Sequence, residues 1–170
     1  SEAGGYDLLA ANRELAGAEI ELVQEIAREM RLKNALALVA DDYDYILIDC
    51  PPTLTLLTLN GLVAADGVLV PMVCEYYALE GISDLVATVR KIRTAINPKL
   101  GIFGIVRTLY NNQNRLAQDV STQLQEHFGA QLFATTIPRN VRLAEAPSHG
   151  LPALAYDAKA KGTLAYLELA

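Results

Sequence analysis

A chain of 170 residues that is 52% apolar and 20% charged is long enough to bury a core and too apolar for a disordered tail or a spacer. Its net charge of −6 is uneven: residues 1–50 carry a net −7, residues 51–80 a further −3, and residues 81–170 a net +4. Cys50 and Cys74 form no CxxC pair, which excludes a disulfide scaffold, and the longest uncharged stretch, 16 residues over 50–65, falls short of the roughly 20 a membrane span needs.

Residues 17–32 carry Ile20, Val23, Ala27 and Met30 at helical spacing, and 36–39 continue that helix. Tyr45-Ile-Leu-Ile48 is a short apolar run ending in Asp49, the pattern of a strand covered on both faces of a parallel sheet. Residues 54–65 read as a helix apolar nearly all round and 68–70 as a second strand. Residues 81–96 make an amphipathic helix with the stripe Ile82, Leu85, Val89, Ile92 and Ile96, ended by Asn97-Pro98. A strand over 102–108, a helix over 114–128 with Leu116, Val120 and Leu124 inward and Gly129 past its end, and a strand over 132–137 follow. A short helix near 141–146 and a last one over 158–170 close the chain. No linker or repeat divides it, so residues 1–170 read as one soluble, cytoplasmic domain. Alternating strands and helices predict a layered α/β fold with parallel strands and flanking helices.

In such a sheet ligands bind beyond the carboxyl ends of the strands. That geometry selects Asp49-Cys50-Pro51-Pro52, the segment 71–75, Thr108 through Asn111, and Pro138-Arg139-Asn140. A carboxylate closing an apolar strand is how nucleotide-binding domains present a ligand to Mg²⁺ or its water, although a solvated strand-end carboxylate reads the same way. Pro51 and Pro52 force an abrupt exit from the strand. The usual companion, a G-x-x-x-x-G-K-[ST] phosphate loop, is missing: Lys33, Lys91, Lys99, Lys159 and Lys161 are followed by Asn, Ile, Leu, Ala and Gly. Cys50, Cys74, His127 and His149 show no metal-ligand spacing, and Ser148-His149 with Asp157 lacks a nucleophile elbow. Tyr76-Tyr77 reads as packing. Arg90, Lys91, Arg93, Arg107, Arg115, Arg139 and Arg142 supply a basic half that suits phosphates or a solvated face equally.

Four strings in order, Asp44-Tyr-Ile-Leu-Ile-Asp-Cys-Pro-Pro52, Val70 through Gly81, Ile137 through Gly150 and Tyr156 through Gly162, with the tail Ala165 through Ala170, resemble the carboxyl-terminal two-thirds of the ParA/Soj partitioning ATPases. The resemblance implies an incomplete P-loop NTPase fold of the deviant Walker-A kind, missing its N-terminal strands, with the phosphate-loop strand coming before residue 1. It implies ATP and Mg²⁺ as cofactors of the full-length parent and leaves open whether this chain alone holds either. By position it makes Asp49 the catalytic carboxylate that holds Mg²⁺ through water. Pro51, Pro52, Thr108, Pro138, Arg139 and Asn140 then line the nucleotide site, and Glu80 lies near the dimer face. Arg142 matches a DNA-contacting base; a second such position falls at Gln113, with Arg115 two residues on. The implied partners are nonspecific DNA on the nucleoid, a ParB-like centromere-binding protein and a second copy of the chain. Without its phosphate loop this chain is expected to be catalytically inactive and to self-associate by edge pairing or segment exchange. Two other readings are a non-enzymatic DNA-binding or dimerisation module, and a MinD-like membrane-cycling ATPase. The latter needs a basic amphipathic tail that Lys161 through Ala170 does not form, so no membrane partner is expected.

Overall fold

The computed structural model describes residues 4–170 and divides them into two compact units. The first holds Leu69–Asp84 and Ile102–Ala170 with the described residues up to Leu8; the second holds Leu9–Val68 and Leu85–Gly101. Elements run α1 (Leu15–Leu22), α2 (Arg31–Leu36), α3 (Leu56–Ala64), β1 (Gly67–Val73), α4 (Ala78–Ala95), β2 (Gly101–Tyr110), α5 (Arg115–Phe128), β3 (Leu132–Pro138), α6 (Val141–Glu145), α7 (Ala153–Tyr156) and α8 (Lys161–Leu169).

In the first unit the strands form a parallel sheet in the order β1-β2-β3, flanked by helices. β2 meets β3 with Ile105 opposite Leu132, Arg107 opposite Thr136 and Tyr110 opposite Pro138, so the register slips twice. Leu109, in the second slip, has φ 50°, a left-handed conformation costly for a branched residue. Val106, Ile137 and Ala165 form a buried cluster against Phe133, Leu143 and Leu169. Gly104 lets β2 and β3 pack: a Cβ there would lie 2.1 Å from the Phe133 ring. Ala117, Val120, Ser121 and Leu124 form the buried stripe of α5, so Ala117 takes the inward place expected of Leu116, which is exposed. Gly129 ends α5 in a right-handed conformation and is required by closeness instead, since a Cβ would meet the Gln125 carbonyl oxygen at 2.7 Å.

In the second unit two buried asparagines do the fastening. Asn60 donates to the carbonyls of Arg28 and Leu56 and accepts from the Leu32 amide, tying α3 to the start of α2. Asn97, 4% exposed, donates to the carbonyls of Val63 (3.1 Å) and Ala65 (2.7 Å) at the end of α3. The chain therefore stops the helix from outside, with a side chain more than 30 residues away.

Two expectations fail here. The helix expected over 17–32 is broken: α1 stops at Leu22 and Ala27 turns left-handed at φ 51°. Ile20 and Ile26 are left exposed, and a helix without a covered stripe lacks the packing that sustains it. The strand expected over Tyr45–Ile48 is not formed; three strands are described where four were expected. Tyr45 (86% exposed) and Leu47 (93%) face out, while Ile48 and Cys50 lie against Gly61 of α3. Cover on both faces was expected, yet Ile46 and Cys50 are exposed and only Ile48 is half-buried, and no described residue supplies a hydrogen-bonding ladder for the run.

Candidate functional site

The carboxyl ends of the three strands form one rim of the first unit. β1 leads into Cys74-Glu75, β2 into Asn111, and β3 into Arg139-Asn140. A cavity of about 170 Å³ opens there, walled by Cys74, Glu75, Tyr110, Asn111, Asn114 and Arg139 with apolar neighbours. Asn111 accepts from the Gln113 amide and Asn114 caps α5 by accepting from the Leu116 amide, both at 3.0 Å. The left-handed twist at Leu109 brings its side chain to the same cavity. One acid, one base, two amides and a phenol suit a ring bearing mixed donors and acceptors.

Arg107 braces the rim from within. Its Nη1 donates to Ser121 Oγ (2.8 Å), and Nη2 donates to the carbonyls of Phe133 (2.8 Å) and Ala134 (3.0 Å). Its guanidinium also lies 5.6 Å from the Tyr110 ring centre. These bonds serve the β3 carbonyls around the register slip, joining β2, β3 and α5. Burial pushes the Cys74 thiol up and the Arg107 charge pulls against it, so at neutral pH Cys74 is a protonated wall of the cavity.

Of the residues expected at a nucleotide site, Arg139 lines the cavity. Thr108 and Pro138 sit at the ends of β2 and β3 beside it, and Asn140 has its Oδ1 engaged by the Arg142 amide at the start of α6. Asp49, Pro51 and Pro52 belong to the second unit, all exposed, and among the described residues no hydrogen bond or ion pair holds the Asp49 carboxylate. Burial first, and the Asp49 charge second, raise the Cys50 thiol. Glu80 is exposed in the first turn of α4 and Arg115 in that of α5.

Arg142, exposed on α6, is engaged. Its Nη1 donates to Glu145 Oε2 (2.8 Å), and its Nε lies 3.6 Å from Asp157 Oδ2. The bond to Glu145 is the main reason its guanidinium is held above the ordinary arginine range. Tyr156 donates to the same Glu145 oxygen (3.2 Å), and the His149 ring stacks on Tyr156 at 4.8 Å. Sequence reasoning missed this cluster; the i,i+3 spacing of Arg142 and Glu145 was its one legible sign. Among the described residues no group of three His, Cys, Asp or Glu side chains is arranged to hold a metal, and no helix is long and apolar enough to cross a membrane.

Residues 1–102 match the family model described as "AAA domain". The chain is 51% identical over 162 residues to the chromosome-partitioning ATPase Soj of Treponema pallidum, covering 95% of this chain and 64% of that protein. It is 50% identical over 164 residues to the sporulation initiation inhibitor protein Soj of Bacillus subtilis, covering 96% and 65%. The chain belongs to the ParA/Soj branch of this AAA family. Among solved structures, a cobyrinic acid a,c-diamide synthase from Mycobacterium smegmatis, crystallised with ADP and magnesium, superposes with TM-score 0.76 at 37% identity. The match covers 93% of this chain and 57% of that one. The chain thus spans about 65% of the length of the curated relatives it matches.

The chemistry of the rim fits part of such a nucleotide. A 170 Å³ cavity with paired donors and acceptors suits a base-sized ring, below the roughly 300–1,000 Å³ of a pocket for a whole ligand. A triphosphate calls for converging amides and cations, and the cavity lining has one base, Arg139, and one acid, Glu75. The donor set does not fit the triphosphate, so no catalytic step is derived through it.

Proposed function

We propose that this chain is the portion of a ParA-type partitioning ATPase that seats the base of ATP and meets DNA, within one domain of the full-length protein. The base lies along the ends of β2 and β3, against Thr108 through Asn111 and Pro138 through Asn140. Asp49, after the Tyr45–Ile48 run, is the carboxylate toward Mg²⁺ through water, and Pro51 and Pro52 fix its exit. Mg²⁺, when bound, supplies charge neutralisation at the phosphates. The observation that carries the reading is the cavity at the carboxyl rim of a parallel sheet, in a chain about 50% identical to Soj proteins. On this reading Arg115 and Arg142 face nonspecific DNA on the nucleoid, Glu80 faces a second copy, and a ParB-like protein is the partner. The exposed Tyr45–Ile48 run supports self-association of this chain by edge pairing, because unpaired main-chain groups beside apolar side chains recruit a strand.

Titration calorimetry tests the nucleotide part. Adenosine and Mg-ATP are expected to bind this chain weakly and within about threefold of each other, less than 1 kcal/mol apart, because the phosphates find little grip. Micromolar Mg-ATP affinity with none for adenosine overturns it.

A further inference from the structure

We infer that Glu145 is a built-in counter-anion that keeps Arg142 from acting as a full phosphate ligand, so that this one carboxylate sets the strength with which the α6–α8 face holds DNA. The inference rests on the reading that this face meets DNA and names its regulation.

Residues 139–161 contain four bases, Arg139, Arg142, Lys159 and Lys161, and two acids, Glu145 and Asp157. Both acids lie on the same guanidinium, Glu145 at 2.8 Å and Asp157 at 3.6 Å. The pairing is held in place from outside. Tyr156 donates to the Glu145 oxygen that Arg142 uses, His149 stacks on Tyr156, and Ser148 Oγ donates to the Glu145 carbonyl at 2.7 Å. Asp157 is fixed in turn, its Oδ1 accepting from the Lys159 amide at 3.1 Å. Arg142 starts from a backbone fixed by Asn140, whose Oδ1 takes its amide at 2.9 Å. Because the pair is exposed, a phosphate can reach the guanidinium, but it must compete with carboxylates already there.

The α8 end of the face is locked to α6 as well. A Cβ on Gly162 would lie 2.5 Å from Leu143 Cδ1 and 3.0 Å from Asn140 Cβ, so the start of α8 rests on the first turn of α6. Lys161 precedes Gly162 in the chain and so starts α8 next to that contact. Neutralising Glu145 should raise the potential of the whole face.

Fluorescence anisotropy of the 170-residue chain with a random-sequence duplex, at several salt concentrations, tests this. Glu145→Gln keeps an oxygen to accept from Tyr156 and removes the charge. It is expected to tighten binding several-fold at low salt and to steepen the slope of log K against log salt by close to one unit, as the neutralisation of one further phosphate requires. Asp157→Asn keeps the acceptor for Lys159 and is expected to act the same way, more weakly. Arg142→Ala should abolish both effects. Weaker binding by Glu145→Gln, or an unchanged slope while Arg142→Ala still weakens the parent chain, overturns the counter-anion and leaves the DNA reading standing. No binding by the parent chain and by Glu145→Gln at low salt overturns the DNA reading and the inference with it.

Discussion

Arg107→Met removes the brace of the rim and leaves a shorter, unbranched apolar side chain in place of the arginine stem. Three bonds are lost, to Ser121 Oγ and to the carbonyls of Phe133 and Ala134, each donated by a charged group. Bonds of that kind contribute about 1.5–3 kcal/mol each, and two of the three acceptors are β3 carbonyls lying between the paired positions Leu132 and Thr136, where the register slips. Part of the loss is offset, because the guanidinium no longer has to be desolvated and its Nε is already buried without a partner. The net expected is about 2–4 kcal/mol of destabilisation, or a fall of roughly 4–16 °C in Tm for a chain of this size. Urea denaturation followed by circular dichroism measures it, with Arg107→Lys between the two because one ammonium cannot span three acceptors in different directions. A change below about 0.5 kcal/mol, the range of an ordinary surface substitution, would refute the brace.

Asn97→Ala should cost about 1–3 kcal/mol by stranding the Val63 and Ala65 carbonyls, read by the same denaturation. Gly104→Ala drives a methyl into the Phe133 ring and should cost about 1–3 kcal/mol, with Phe133→Leu in the same chain returning part of it. For Cys50, the raised thiol means that alkylation by iodoacetamide reaches half its maximum rate above the ordinary thiol pH. Asp49→Asn removes the charge that opposes the thiolate, so the midpoint should move down while staying above the ordinary value, burial being the larger cause. Light scattering should show Leu47→Lys shifting the chain toward monomer; a parent chain already monomeric at every concentration contradicts edge pairing.

What the sequence showed depended on whether an element's cause was local. α4 and α5 were legible because their cause is local: an amphipathic period in each, with Asn97-Pro98 as the stop just past α4 and Gly129 just past α5. Even there the period left the inward face of α5 uncertain by one residue, with Ala117 buried in place of Leu116. The Tyr45–Ile48 run had the composition of a strand, yet a strand is made by its neighbour's hydrogen bonds, which composition cannot provide. The stop of α3 by Asn97 and the meeting of Arg142 with Asp157 join residues distant in sequence, and no spacing rule reaches them. For the rim, placing chemistry after strand ends found Arg139 and the segment 71–75 through the parallel topology alone. It did not find Arg107, a strand-interior base whose use follows from register slips visible only in three dimensions.

Proton–nitrogen correlation spectra of the chain titrated with adenosine bear most directly on the seat for the base. Shifts confined to the amides of residues 108–111 and 139–141, repeated by Mg-ATP at similar concentrations, are the predicted result. Shifts scattered away from the strand ends, or none at millimolar adenosine, would contradict it.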